Sequence, residues 1–304
     1  MREVSIILLF SILTLFVNAQ HYIGVNLGGL ATYQSDNIDN TTSRFGSGGE
    51  IGAIYQLKKN KFLFQTGLGL NYSTSILGVD SMLISSNMID VEGISFMHKS
   101  VVYNRVDRAN MAELSIPLML GFNASFFYTL LGVKFVYPLM VTTRQTALLT
   151  TYGDYNGMFY EDFVNMPQHG YVNDLPIKTI GRADLSYDVR AYVELGGQWA
   201  LSGVLGQKSL STQFSVALFV EYGVLNMLKN GGGNLVDVDY SKNTSVEMNH
   251  IYTTLSSSSA SVNNLRIGLC ASLLFPVADV NSRRKKCMCI DWVNRKYLVY
   301  RKRR

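Results

Sequence analysis

Apolar and polar residues alternate one by one along much of this chain, which is the pattern of a β-strand with one apolar face. In Asn264–Phe275, every second position from Leu265 to Phe275 is apolar, while Arg266 and small residues fill the positions between. Eight segments with this pattern are predicted strands: Tyr22–Tyr33, Gly49–Leu57, Phe62–Tyr72, Met111–Phe122, Phe127–Tyr137, Tyr187–Trp199, Gln213–Leu225 and Asn264–Phe275. Each is close to the length that a tilted membrane strand needs, about 9–11 residues.

The connections between these strands alternate between short and long. Lys58–Lys61 and Asn123–Ser125 are short turns, whereas Val141–Ser186 is a long connection. This asymmetry is typical of membrane barrels with short periplasmic turns and long outer loops. The sequence therefore predicts an all-β fold over residues 20–276, an eight-stranded antiparallel up-and-down transmembrane β-barrel with long extracellular loops. An even number of strands places both termini on the periplasmic side.

Two features favour this barrel over a soluble barrel of the lipocalin kind, whose apolar face points inward. The polar faces carry few charges and many small residues, which suit the narrow interior of an eight-stranded barrel. Aromatic residues also cluster at both strand ends, as they do at the two interfaces of a membrane. At the predicted periplasmic end they are Phe62, Phe122, Phe127, Trp199, Phe214 and Phe275. At the outer end they are Tyr33, Tyr72, Tyr137, Tyr187 and Tyr222.

The start of the chain and its composition agree with export to a membrane. An apolar run over Val4–Val17 follows Arg2 and ends in small residues at Ala19, which predicts a signal peptide over residues 1–19. Only 16% of the residues are charged, against roughly 25% in an ordinary soluble domain. The cysteines, Cys270, Cys287 and Cys289, are odd in number and do not indicate a disulfide framework.

The segment Glu113–Phe122 reads ELSIPLMLGF. It resembles the fourth-strand signature of the PorT-like outer-membrane β-barrel family of Bacteroidetes, in which a Glu-Ile-Pro-Leu-type run follows a long loop. The resemblance extends more loosely over Gln20–Phe275, through glycine-rich early strands and a last strand that ends in Phe. The founding member of that family takes part in protein secretion. The resemblance therefore implies a bacterial outer-membrane protein with an accessory role in a secretion or envelope-assembly complex.

Charged residues on the predicted inner faces form the first candidate site. Because buried charges must be paired or neutralised, we expect them to form a network of ion pairs that fills the interior. A proton or ion path is the alternative function for the same residues. The set comprises Glu50, Glu113, Lys134, Asp188, Arg190, Glu194, Glu221 and Arg266. Pro117, on the inner face of the fourth strand, is expected to cause a local bulge because it lacks a backbone donor.

The outer loops carry the candidates for chemistry. His98, His169 and His250 fall on three different predicted loops, without the spacing of a metal site. The sequence favours a non-enzymatic scaffold or accessory protein that uses surface loops for recognition. Two alternatives remain open: an enzyme that modifies outer-membrane lipid at the barrel rim, and a narrow pore. No motif indicates a cofactor, a metal or nucleic-acid binding.

The segment 277–304 is predicted to be a basic periplasmic tail, with ten basic and two acidic residues. Aromatic and aliphatic residues interleave with the charges, which suits docking on an anionic lipid surface or an acidic envelope protein. A solvated, disordered tail is the alternative. The residues predicted to carry the interaction are Arg283, Arg284, Lys285, Lys286, Trp292, Arg295 and Lys296. The expected partners are thus outer-membrane lipid and an envelope protein, bound through the tail or the outer loops.

Overall fold

The computed structural model describes residues 19–36, 41–89, 92–155, 163–164, 171–201, 212–227, 236–239, 245–248 and 262–277. The predicted signal peptide before position 19, the tail beyond Val277, and His169, His250, Cys287 and Cys289 lie outside the described residues. Among the described residues, no helix has the length and apolar character needed to cross a membrane.

The described residues form thirteen strands. They are β1 (Gln20–Asp36), β2 (Thr41–Arg44), β3 (Gly46–Lys59), β4 (Phe62–Ile89), β5 (Ser95–Ala124), β6 (Phe127–Asp154), β7 (Phe163–Val164), β8 (Leu175–Arg182), β9 (Asp188–Leu201), β10 (Thr212–Gly223), β11 (Val236–Asp239), β12 (Ser245–Met248) and β13 (Val262–Pro276). β11 and β12 pair only with each other in the described part of the chain.

Eight strands close into a ring by antiparallel pairing. The order around the ring is β1, β3, β4, β5, β6, β9, β10 and β13, and β13 pairs with β1 again from Tyr22↔Pro276 to Asp36↔Val262. Apart from the closing pair of β13 with β1, every neighbour in the ring is also the next ring strand along the chain. The predicted eight-stranded up-and-down barrel is therefore confirmed.

Side chains alternate between the two faces of the ring, and the outer face is the apolar one. Leu27, Leu131 and Leu269 point outward and are 65%, 59% and 60% exposed, whereas Arg190 and Arg266 point inward and are fully buried. A soluble barrel has the reverse arrangement. An apolar exterior around a charged interior is stable in lipid, because the closed ring also leaves no open sheet edge in the barrel wall.

The two ends of the barrel differ. The turn end carries Gln20 and Pro276 together with the two-residue turns at Asn60 and Ser125, both with positive φ, as tight hairpins require. The six aromatic residues predicted for the periplasmic end are exposed on the outer face there. At the opposite end, here called the extended end, Tyr72, Tyr137, Tyr187 and Tyr222 form the second exposed group.

Three strands continue far beyond the second aromatic group. β4, β5 and β6 have 28, 30 and 28 residues, and they stay paired almost to their ends. β2 pairs with the outer part of β4, and β7 and β8 pair with the outer part of β6. The prediction of loops over 73–110 and over much of Val141–Ser186 is therefore wrong. Polar residues occupy both faces of these extensions, which hides their two-residue period in the sequence.

The inner face of this extension has its own small core. Leu77, Val79, Ala109, Met111 and Val141 pack there with Ala183, Leu185 and Met227, which follow β8 and β10. Further out, Val102, Ala147 and Leu149 pack with Val172 and Ile177. The segments after Tyr171 and after Arg182 thus cover the inner face, and burial of these apolar side chains stabilises the extension.

Two irregularities in the pairing of β5 with β6 compensate each other. One register shift lies between Tyr103 and Val106, at Asn104 with φ of 50°, and the opposite shift lies between Ala112 and Glu113. The bulge predicted at Pro117 is absent, because the register of β4 against β5 is the same on both sides of it. Pro117 instead leaves a gap in the pairing with β4, between Thr66↔Leu118 and Gly69↔Ser115.

Candidate functional site

All eight charged residues singled out on the inner faces lie inside the barrel. They come from six strands, β3, β5, β6, β9, β10 and β13, and none is more than 6% exposed. They meet because each sits at an inward position at a similar level of the ring. Glu221, for example, pairs directly with Arg266 on the next strand.

Glu113 is the centre of the network. Its carboxylate accepts two hydrogen bonds from Arg190, at 2.7 and 3.1 Å, and one ion-pair contact from Arg266 at 2.7 Å. Arg190 also contacts Asp188 through Nε at 3.0 Å, and Arg266 donates to Ser73 at 3.0 Å. Two guanidinium groups therefore share one carboxylate in the middle of the barrel, a geometry that the planar donors of arginine favour.

Lys134 forms the second part of the network. Its ammonium group donates to Glu50 at 3.1 Å and to Glu221, and it lies 4.7 Å from the centre of the Tyr192 ring. Glu221 also lies 3.7 Å from Arg190. Glu221 therefore joins the lysine part to the arginine part, and seven of the eight residues form one connected set of ion pairs.

Glu194 is the exception, because hydroxyl groups hold it. Tyr128 and Tyr192 each donate a hydrogen bond to its carboxylate, one to each oxygen. The sequence reasoning missed both tyrosines. Their position could have revealed them, since Tyr128 and Tyr192 alternate with the outward-facing Phe127 and Val193.

The interior is filled on the turn-end side of the charges as well. Leu30, Leu63, Met119, Leu130 and Phe219 form an apolar cluster there with the two tyrosines. The cavity between the charged and apolar layers has a volume of about 20 Å³ and is lined by Glu50, Lys134, Glu194 and Cys270, among others. A space of that size holds about one water molecule.

No group of three His, Cys, Asp or Glu side chains in the described residues is arranged to hold a metal ion. Cys270 is a buried free thiol on the inner face. The described interior is therefore an electrostatic network beside a single buried thiol.

Of the three predicted loop histidines, His98 is the one that the structure describes. It lies on β5, not on a loop, in the extension beyond the membrane, and it is only 2% exposed. Its ring stacks on Tyr171, with the ring centres 6.1 Å apart. Burial lowers the pKa of His98 below its ordinary value of 6.5, because the protonated ring loses hydration.

This lowered pKa predicts that the extension becomes less stable in acid. The unfolded segment binds a proton at higher pH than the folded one, so stability rises with pH in this range. The destabilisation is absent well above pH 6.5 and grows as the pH falls below it. Hydrogen exchange of peptides covering 95–103 is expected to speed up between pH 7.5 and pH 5, after correction for intrinsic exchange.

A His98→Phe variant is the matched control, because it keeps a stacking ring and removes the titrating group. Its corrected exchange in the same peptides is expected to stay flat over this pH range. Equal pH dependence in the wild type and the variant would show that His98 is not the group responsible.

No protein-family model matches the sequence, and no curated protein matches it. Among solved structures, Ail, the attachment invasion locus protein of Yersinia pestis, is similar over 84% of this chain and 99% of its own, with 8% identity and a TM-score of 0.30. A second structure of Ail, in complex with the heparin analogue sucrose octasulfate, has a TM-score of 0.29. Neisserial surface protein A is similar over 84% of this chain and 97% of its own, with 8% identity and a TM-score of 0.26. At these TM-scores, the fold assignment rests on the strand pairing of this chain.

Proposed function

We propose that this protein is a non-enzymatic component of a bacterial outer membrane, a barrel that anchors a recognition surface and serves as a scaffold or accessory subunit of an envelope complex. The apolar band between two aromatic groups and the predicted signal peptide support the location. The resemblance of Glu113–Phe122 to the PorT-like family supports the accessory role in secretion or envelope assembly.

The observation that carries this proposal is the filled interior. Paired charges and an apolar cluster occupy successive levels of the barrel, and the cavity between them has room for about one water molecule. Such an interior supports an anchor over a pore. The burial of His98 beneath Tyr171 also favours recognition over catalysis at the rim, since a general base must be reachable by its substrate.

The proposed orientation places the turn end in the periplasm. The extension of β4, β5 and β6 is then extracellular, and the basic tail after Val277 is periplasmic. The turn end already carries Lys58, Lys59 and Lys61, so a basic tail adds to positive charge on the same side. An acidic envelope protein is the partner that this charge would attract.

If the tail binds an envelope partner, its removal has a predictable outcome. A chain ending at Asp279 is expected to insert and to keep its heat resistance, because every barrel strand ends before that residue. It is expected to lose most of the envelope proteins that co-purify with the intact chain after gentle cross-linking. The measurement is quantitative mass spectrometry of both samples.

A full-length variant with Gln at the four adjacent basic positions 283–286 is the control for charge. If charge mediates the contact, this variant behaves like the truncated chain. If the truncated and intact proteins recover the same partners, the tail is not the recognition element, and the extracellular extension takes its place.

A further inference from the structure

The outer face of the extension carries a row of aligned basic residues. Arg44 on β2 pairs with Ile76 on β4, Ile76 pairs with Arg108 on β5, Arg108 pairs with Arg144 on β6, and Arg144 pairs with Ile180 on β8. Opposed residues in antiparallel strands share a face. Three arginines separated by sixty-four and thirty-six residues in the chain therefore lie in one row across the sheet, with Ile76 between Arg44 and Arg108.

Two further cations flank this row on the same face. Lys178 lies opposite Thr146, one row further from the barrel, and Arg182 lies opposite Thr142, one row nearer to it. The arginines of the row and these two residues are all exposed. In the described part of the chain, none of the five takes part in an ion pair. We call these five residues the basic row.

The direct opposition of Arg108 and Arg144 is unfavourable in the isolated protein. Like charges directly opposite each other on one face of a sheet destabilise the pairing. Arginine at both positions is explained if an anion binds between them, because one phosphate accepts hydrogen bonds from two guanidinium groups. Ile76 and Ile180 lie on the same face between and beside these arginines, so apolar surface adjoins the basic row.

The height of the basic row identifies the kind of anion. Ile76 lies four residues beyond Tyr72 on the same face of β4, roughly 13 Å along the strand at about 3.3 Å per residue. With a strand tilt of about 35–45° this is roughly 10 Å along the membrane normal. The polar layer on each side of a bilayer is only about 5–8 Å thick. The row therefore lies just beyond the outer edge of this layer, where its long arginine side chains reach a lipid whose headgroup extends further out, and Arg182 lies nearer to the membrane.

We propose that the basic row is a binding site for phosphate groups of the lipid in the leaflet at the extended end, with Arg108 and Arg144 sharing one phosphate. A phosphorylated glycolipid fits best, because a sugar headgroup is larger than that of an ordinary phospholipid and can carry phosphates further from the hydrocarbon core. The site would hold the extension upright against the membrane surface. Its biological setting rests on the proposed outer-membrane location, whereas binding itself is measurable without that location.

The test uses the full chain refolded in non-ionic detergent, with diphosphorylated lipid A added to the micelles. The thermal midpoint of the wild type is expected to rise with lipid A and to stay unchanged with lipid A from which both phosphates have been removed. The Arg108→Gln/Arg144→Gln variant is expected to bind lipid A at least about tenfold more weakly, since it loses two charge-assisted hydrogen bonds. Without lipid, the same variant is expected to be more stable than the wild type, because it relieves the opposition of like charges.

The matched control removes two positive charges at the turn end, in Lys59→Gln/Lys61→Gln, and is expected to keep the full response to lipid A. Arg108→Lys/Arg144→Lys is a second variant that keeps the charge but cannot make paired contacts, and an intermediate affinity is expected. An unchanged response of the Arg108→Gln/Arg144→Gln variant would overturn the proposal. So would an equal shift with dextran sulfate or inorganic phosphate, which would indicate a soluble anion as the ligand.

The proposed location has a separate test. If membrane fractionation places the protein in the inner membrane, the proposed function fails, while binding of lipid A in detergent can still be positive. If the protein is in the outer membrane but lipid A does not bind, only the lipid site fails.

Discussion

Replacing Glu113 by Gln is expected to lower the free energy of unfolding by about 3–5 kcal/mol, the cost of leaving a buried charge without its partner. Arg266 makes its ion pair with Glu113 at 2.7 Å, and its other described contact is with the neutral Ser73. Arg190 retains Asp188 and Glu221 after the substitution, whereas Arg266 loses its ion pair and keeps only the more distant attraction of Glu221, which lies opposite it on the next strand. Unfolding by urea in detergent micelles, followed by tryptophan fluorescence, measures the loss.

Glu194→Gln is the matched control, because it is the same substitution in the same buried layer. Its partners are the hydroxyls of Tyr128 and Tyr192, of which one can donate to the amide oxygen while the other accepts from the amide NH2. The expected loss is about 1–2 kcal/mol, the difference between charged and neutral hydrogen bonds. A larger loss for Glu194→Gln than for Glu113→Gln would contradict the division of the interior into an ion-pair network and a tyrosine-held carboxylate.

Replacing Gly132 by Ala is the second change with a large expected effect, a loss of about 1–3 kcal/mol from overpacking. An added Cβ would lie 2.1 Å from the carbonyl oxygen of Leu118 and 2.8 Å from the Cα of Met119. Both atoms belong to the backbone of β5, so the neighbouring strand has to move. The loss appears as a lower urea midpoint.

Gly29→Ala tests the same substitution where there is room. Gly29 faces outward on β1, and an added Cβ meets nothing within 4 Å. Removing a glycine from a strand is then expected to stabilise the barrel by about 0.5–1 kcal/mol, through the lower entropy of the unfolded chain. Equal effects of the two substitutions would mean that close packing between strands does not restrict position 132.

The barrel itself could be predicted from the sequence because its main signal is local. Each membrane strand alternates between lipid and interior, so runs such as Leu265 to Phe275 show the period without any knowledge of their neighbours. The same alternation identified the inward charges. Glu113 and Arg266 can be recognised as inward-facing from their positions relative to the apolar residues beside them in the sequence.

The extension escaped prediction because its inner face mixes apolar and polar residues. Phe96 and Val102 share that face with His98 and Ser100, and the outer face is mixed as well, with Leu83 and Ile89 exposed among polar residues. At Pro117 the sequence predicted an irregularity that the structure lacks, since an interrupted hydrogen-bond ladder was expected to shift the register. The pairing of β4 with β5 resumes beyond it at the same register, because pairs on both sides hold the two strands in place.

Local alternation is therefore sufficient to tell which side chains face lipid and which face the interior. The sequence alone determines this part of the architecture. Which inward charges touch, and which outward charges line up, depends on the register between strands distant in the chain. Glu113 meets Arg266 only after the ring has closed, and Arg108 aligns with Arg144 because both lie between the two compensating shifts in the pairing of β5 with β6. Register is a property of paired strands, and a shift of a single residue would exchange the faces of an entire strand.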